Sequence, residues 1–216
     1  MRKKISLLFI SLGFLLLAAV LFPLVVSQFR FILNEPVSLH DPVSPPRRPG
    51  LTILGSLTAD YTQASNWFYP ASLPQHQASP VTFFRLTLAR LDVNDVSVAV
   101  NGSDLKKSAI HYPGTALPGN FGNSVIFGHS SLPFLYKPGN PITIFNPLTK
   151  AKLGDEILIN YDGKTYHYQI KKISEVSPKQ LEVLDQDYSK KQLTLITCVP
   201  LGTYWRRLVL LAELVN

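Results

Sequence analysis

From Val81 onward the chain reads as short runs in which β-branched and aromatic residues alternate with polar ones. Val81 to Leu88 is the first such run. Val96 to Val100 alternates and stops at the turn dipeptide Asn101-Gly102. Ser124 to Phe127 is closed by Gly128, and Pro141 to Phe145 precedes Asn146-Pro147. Glu156 to Tyr161 leads through Asp162-Gly163 into Thr165 to Ile173, a hairpin signal. Leu193 to Thr197 and Leu208 to Ala212 complete the set. Short strands spaced by turns, without long amphipathic helices, predict an all-β sandwich or closed barrel. A short helix is expected within Ser177 to Tyr188.

Upstream the pattern changes twice. Ile5 to Val26 carries no charge and is interrupted only by Ser6, Ser11, Gly13 and Pro23. A helix of about 22 residues rises roughly 33 Å, enough to cross a hydrocarbon core of about 30 Å. Arg2, Lys3 and Lys4 precede it, which places the N-terminus on the cytoplasmic side and all that follows outside. A cleaved secretory signal fits less well, because the run is too long and Val25-Val26-Ser27 lacks a small-x-small site. Between Asn34 and Gly50 five prolines with Arg47 and Arg48 predict a stiff, extended stalk. The division expected is therefore a basic tip over 1–4, an anchor over 5–26, a stalk and N-terminal extension over 27–80, and a globular domain over 81–216. Within the extension, Trp67-Phe68-Tyr69 calls for an apolar surface, most simply that of the domain itself.

Composition narrows the chemistry. The 216 residues have a formal net charge of +7 and only 16% charged side chains. The cations are scattered and not interleaved with aromatics, so they suit a membrane-proximal surface and not nucleic acid. The chain holds one cysteine, Cys198. A lone cysteine outside the cytoplasm is a reactive thiol, an intermolecular partner or a small buried apolar group. It sits at the end of an apolar run, where a rigid strand would present it to a loop-walled cleft. An unassisted thiol with pKa about 8.5 is mostly protonated at neutral pH, so a base or cation is required. His129 leaves its own strand in the same way, and His111 is the alternative. Arg206 and Arg207 open the last strand, a short loop after Cys198. Alternation along a strand sends them to opposite faces, so one of them can meet the thiol.

Thr194-Leu195-Ile196-Thr197-Cys198 followed by Arg207-Leu208-Val209 resembles the signature of the sortase family. Ile110 to Gly119 and Gly122 to His129 resemble the family's segment bearing its essential histidine. The resemblance runs roughly from Val81 to Leu214. It implies a closed eight-stranded barrel, with Cys198 as nucleophile, His129 as proton-transfer partner, Arg207 as electrostatic stabiliser and Thr197 as a substrate-positioning residue. It further implies a thiol transpeptidase that cleaves an LPxTG-like sorting motif of exported proteins and passes the acyl group to an amine of a cell-wall precursor or another protein. The Thr115-Ala116-Leu117-Pro118-Gly119 stretch is similar to the smaller housekeeping and sporulation-type groups. His40-Asp41-Pro42-Val43 lacks the aromatic of an Asp-Pro-aromatic lid, which speaks against pilin polymerisation. No cofactor is expected. Asp185-Gln186-Asp187 with Glu175 and Glu182 does not match a calcium loop, so no metal ligand is assigned. Two other readings remain open: a cysteine endopeptidase that hydrolyses its acyl-enzyme, and a non-catalytic, membrane-tethered barrel.

Overall fold

The computed structural model describes residues 10–19, 22, 60–68 and 79–215. The chain divides into two compact units, Met1–Gly55 and Ser56–Asn216. In the first, residues 10–19 and 22 are helical. Among the described residues no helix is long and apolar enough to cross a membrane. The remainder of the expected span from Ile5 to Val26 lies outside the described residues, as do the Pro-rich stalk, His40 and His76.

The second unit is a closed barrel of eight strands in the order β1-β2-β3-β4-β7-β8-β6-β5. These are β1 Phe83–Leu88, β2 Val93–Ala99, β3 Ala109–His111, β4 Gly122–Phe127, β5 Glu156–Tyr161, β6 Lys164–Val176, β7 Lys191–Val199 and β8 Arg206–Leu214. Closure leaves no free edge in the sheet. Most pairs are antiparallel, but β2 runs parallel to β3 and β4 runs parallel to β7. The Asn101-Gly102 turn therefore ends β2 without making a hairpin, while Asp162-Gly163 does join β5 to β6 as expected. Asn101 and Asp162 both take left-handed backbone there, which their short polar side chains tolerate.

Two expectations need correcting. Pro141 to Phe145 forms turns and not a strand. Pro141 lacks a ladder donor, and the Thr143 hydroxyl ties the loop on itself by donating to the Lys137 carbonyl at 2.9 Å. A strand the pattern did not announce, β3, is three residues long and buried throughout. Ser177 to Tyr188 holds a single 3-10 turn, Leu181–Leu184.

Strand alternation sorts the apolar residues into two clusters. Phe84, Leu86, Ile126, Leu195, Leu210 and their neighbours fill the barrel interior. A second cluster lies on the outer face of β3, β4, β7 and β8 and includes Ile110, Val125, Phe127, Ile196, Cys198 and Val209. β7 is thus buried on both faces, which is why Leu193 to Val199 reads as a nearly unbroken apolar run. The outer cluster is covered by residues 60–68, whose Ala64, Trp67 and Phe68 belong to it. The aromatic triplet meets the domain itself, as expected for Trp67 and Phe68; Tyr69 lies outside the described residues.

Leu195 is fully buried in the interior cluster. Leu195→Ala is expected to lower the unfolding free energy by about 2–5 kcal/mol, read as a lower urea midpoint at unchanged slope.

Candidate active site

The parallel pairing of β4 with β7 aligns Phe127 with Ile196. The chain leaving each strand then carries His129 and Cys198 at the same end of the barrel. Three hydrogen bonds fasten these ends together. The Gly128 amide donates to the Ile196 carbonyl at 3.1 Å, the Thr197 hydroxyl to the Gly128 carbonyl at 2.8 Å, and the Ser130 hydroxyl to the Cys198 carbonyl at 2.7 Å. Gly128 has no room for a side chain, because a Cβ there would run into the Phe145 ring. Only glycine lets the backbone pass that ring and deliver His129.

β8 returns antiparallel beside β7 and sets Cys198 opposite Arg207, Val199 opposite Arg206. Opposed residues share a face of the sheet. Cys198 and Arg207 lie on the outer face; Arg206 is turned to β6, where its Nη2 donates to the Glu175 carbonyl at 3.2 Å. His111 goes the other way. Its neighbour Ile110 joins the outer cluster, while the His111 ring packs near Phe84 and its Nε2 lies 2.8 Å from the Ala116 carbonyl. Burial pushes His111 down to about 4. His111 and Cys198 are therefore on opposite sides of the wall, and His129 shares the outer face with the thiol.

The site is dry. Cys198 is 1% exposed, Arg207 0% and His129 6%. The Arg207 guanidinium donates from Nη2 to the Trp67 carbonyl at 2.8 Å, and from Nη1 to the carbonyls of Tyr204 at 3.0 Å and Arg206 at 3.2 Å. The rings of Trp67, Tyr61 and Phe68 face it at 5.3, 5.8 and 5.9 Å. Arg207 Nε has no partner among the described residues. A fully buried cation is tolerable only with such donors and rings around it.

Residues 60–68 act as the lid of this site. A 3-10 turn over Ala64–Asn66 is held by the Trp67 indole donating to the Tyr61 carbonyl at 2.7 Å and by Asn66 Nδ2 donating to the Asp60 carbonyl at 2.9 Å. Backbone bonds tie it to the β2–β3 connection: Ala64 N to Ser103 O at 3.1 Å and Leu105 N to Thr62 O at 2.9 Å. Tyr61 stacks on Tyr204 at 4.5 Å, and Trp67 sits 5.8 Å from the His129 ring. The segment carries no Asp-Pro-aromatic sequence, yet it covers the groove; its sequence signal was the aromatic triplet alone.

Electrostatics follow from the burial. Desolvation pushes the Cys198 thiol up to about 11, with the Arg207 charge pulling the other way. Burial lowers His129, partly offset by the Asp60 and Asp104 carboxylates. With the lid in place the pair rests as thiol and neutral imidazole. The chain's sequence reading had not singled out Asp60, Asp104 or Ser130. Thr197 is fully buried and its hydroxyl is engaged by Gly128, so in this state it braces the strand end. Asp187 accepts from the Ser189 hydroxyl at 2.6 Å, and the Gln186 side chain bonds Asn123 and Ala116; that loop is knitted by its own polar groups.

Labelling by iodoacetamide is expected to be slow at pH 7 and to rise about tenfold per pH unit until it approaches the thiol's pKa of about 11. Arg207→Met should move that midpoint upward, since Arg207 favours the thiolate. A midpoint near the ordinary thiol value in the full chain would contradict the burial described.

A Sortase domain family model matches residues 86–215. Over 77 residues the chain is 40% identical to Sortase A of Streptococcus agalactiae serotype III (strain NEM316), covering 35% of this chain and 30% of that protein. Over 95 residues it is 33% identical to Sortase A of Bacillus anthracis, covering 44% and 41%. The chain thus spans less than half the length of these curated relatives. Among solved structures it resembles a Clostridium perfringens Sortase D5 transpeptidase with TM-score 0.54 and 27% identity, over 64% of this chain and 82% of that one. It likewise resembles a lid mutant of Sortase A from Corynebacterium diphtheriae, with TM-score 0.55 and 30% identity, over 65% and 73%.

Proposed function

The chain belongs to the sortase family, and we propose on that premise that it is a membrane-anchored thiol transpeptidase. Its substrates are exported proteins with an LPxTG-like sorting motif, and its acceptor is an amine of a cell-wall precursor or of another protein. The anchor is Ile5 to Val26, with the catalytic domain extracellular. The observation that carries this reading is the opposition of Cys198 and Arg207 across β7 and β8, with His129 brought to the same face by the parallel strand β4.

The chemistry needs a thiolate to attack the scissile carbonyl and an acid to protonate the departing amine. Cys198 Sγ forms the new bond to carbon. Arg207 N–H groups, including the Nε that has no partner among the described residues, are available to the oxygen on which charge develops. As the intermediate collapses, the C–N bond breaks and the leaving nitrogen takes the proton of the His129 imidazolium. The thioester is then attacked by the acceptor amine, which gives its surplus proton to the now neutral His129, and the thiolate departs. Catalysis requires Cys198 deprotonated while His129 is protonated, a minority state when the two pKa values stand in the ordinary order.

A peptide must displace the lid to reach the thiol, because the Trp67 carbonyl holds Arg207 and the Trp67 ring covers the groove beside His129. The energetic barrier to that displacement is the burial of Trp67 and Phe68. Once they leave, the apolar groove on the outer face of β4 and β7 is open to a substrate side chain.

Mass analysis of the full chain in detergent, with an LPxTG-like peptide library and an added amine, tests the reading. Ligated product is expected; cleavage with water alone would instead make it an endopeptidase. Cys198→Ala is expected to be inactive, and His129→Ala severely impaired. Arg207→Ala should lose about 10²–10³ in rate while Arg206→Ala loses little. The profile of kcat/KM against pH should be bell-shaped. Trp67→Ala should raise kcat/KM mainly by lowering KM. No product from either the unaltered chain or Trp67→Ala would leave a non-catalytic barrel.

A further inference from the structure

The connection after β4 and the loop after β7 leave the barrel at the same end, because those strands are parallel. They meet there: a side chain at Gly202 would strike Leu132. Both loops expose apolar side chains at the mouth of the site. Phe134 is 80% exposed, Leu135 51%, Ile142 49% and Trp205 47%. Two features keep the first loop's apolar groups outward. Pro133–Leu135 is a single 3-10 turn, and Thr143 fastens the loop at Lys137, beside Ile142. Scattered exposed leucines are ordinary, but large apolar groups gathered on two touching loops call for an occupant.

The charge pattern indicates which occupant. No carboxylate occurs between Asp104 and Asp155, while Lys106, Lys107, Lys137, Lys150 and Lys152 do. Around the second loop none occurs between Asp187 and Glu213. Three acids border the site from neighbouring elements, and each is engaged: Glu175 of β6 by Arg206, with Nε to Oε2 at 3.9 Å, Asp104 by Lys107 at 3.5 Å, and Asp60 by the Thr62 hydroxyl, which donates to it at 2.5 Å. Large exposed apolar groups on loops that carry lysine and no carboxylate of their own, with the bordering acids already engaged, suit a protein surface that beds into an anionic bilayer interface.

We propose that the Leu132–Leu135 turn, Ile142 and Trp205 form a membrane-docking surface that seats the mouth of the site on the anionic bilayer carrying the anchor. This rests on the reading of Ile5 to Val26 as that anchor. Docking would hold the thioester end of the groove at the height of lipid headgroups, so an amine borne on a lipid-linked acceptor would reach it without leaving the membrane.

The chain has two tryptophans, Trp67 and Trp205, and Trp67 is fully buried. Interfacial groups sit roughly 5–10 Å into the headgroup and acyl boundary, within reach of bromines placed high on the acyl chains. The test reconstitutes the full chain in phosphatidylglycerol–phosphatidylcholine vesicles with or without such bromines. Bromines are expected to quench the unaltered protein and to leave Trp205→Phe, which reports Trp67 alone, unquenched. The double variant Phe134→Ser with Leu135→Ser, both at exposed positions, should lose the quenching while keeping its circular dichroism and melting temperature. Flotation of the vesicles reads the anchor separately. Protein that does not float refutes the anchor, and the docking with it. Protein that floats without quenching, or whose quenching survives the double variant, overturns the docking alone and leaves the patch to a protein partner.

Discussion

The parallel pairing of β4 and β7 is the constraint on which the site depends. Both strands end at the same rim, so the residues that follow them are neighbours although β5 and β6 lie between them in sequence. An antiparallel pairing would have carried His129 and Cys198 to opposite ends of the barrel. The Thr197 and Ser130 hydroxyls then lock the two ends in register by donating to carbonyls across the gap. Each such bond is worth only about a kilocalorie per mole net, yet leaving those buried carbonyls unpaired would cost more. Position, here, is held by the penalty for losing it.

Burial then sets the chemistry. A guanidinium with no exposed surface needs its donors satisfied, and Arg207 finds carbonyls from its own loop and from Trp67. The same dryness opposes the thiolate, and one buried cation does not outweigh it. Burial therefore favours the thiol at Cys198 and the neutral imidazole at His129 while residues 60–68 lie over them. Structure and reactivity are coupled through solvent: whatever removes the Trp67 ring admits water or peptide, frees an Arg207 donor and changes the balance of charge in one event.

Much of the barrel was legible because alternation and turn dipeptides are local signals. β1, β2 and β4 to β8 lie where the pattern put them, give or take a few residues. Pro141 to Phe145 misled because isoleucine, threonine and phenylalanine carry β propensity whether or not a partner strand exists. β3 was silent because three residues are too short to show a period, and its parallel partner is chosen by the closed sheet. At the site, the motif residues could be named in advance, and so could the opposite facing of Arg206 and Arg207, since that follows from a period of two. The choice between His111 and His129 rested on resemblance; in three dimensions Ile110 and His111 simply face opposite ways.

The sequence by itself determined that this is a chain of short strands with one thiol, one arginine able to oppose it, and an aromatic triplet seeking an apolar surface. Those are properties of composition and period, and they need no knowledge of what lies across the sheet. Only the tertiary structure decided that Trp67 finds its surface over Cys198, His129 and Arg207, that the charges of Asp60 and Asp104 act on the imidazole, and that the loops of Phe134 and Trp205 share a rim. Each of these joins residues brought together by sheet closure, and their energies come from desolvation, which a residue acquires from its neighbours in space and not from its neighbours in the chain.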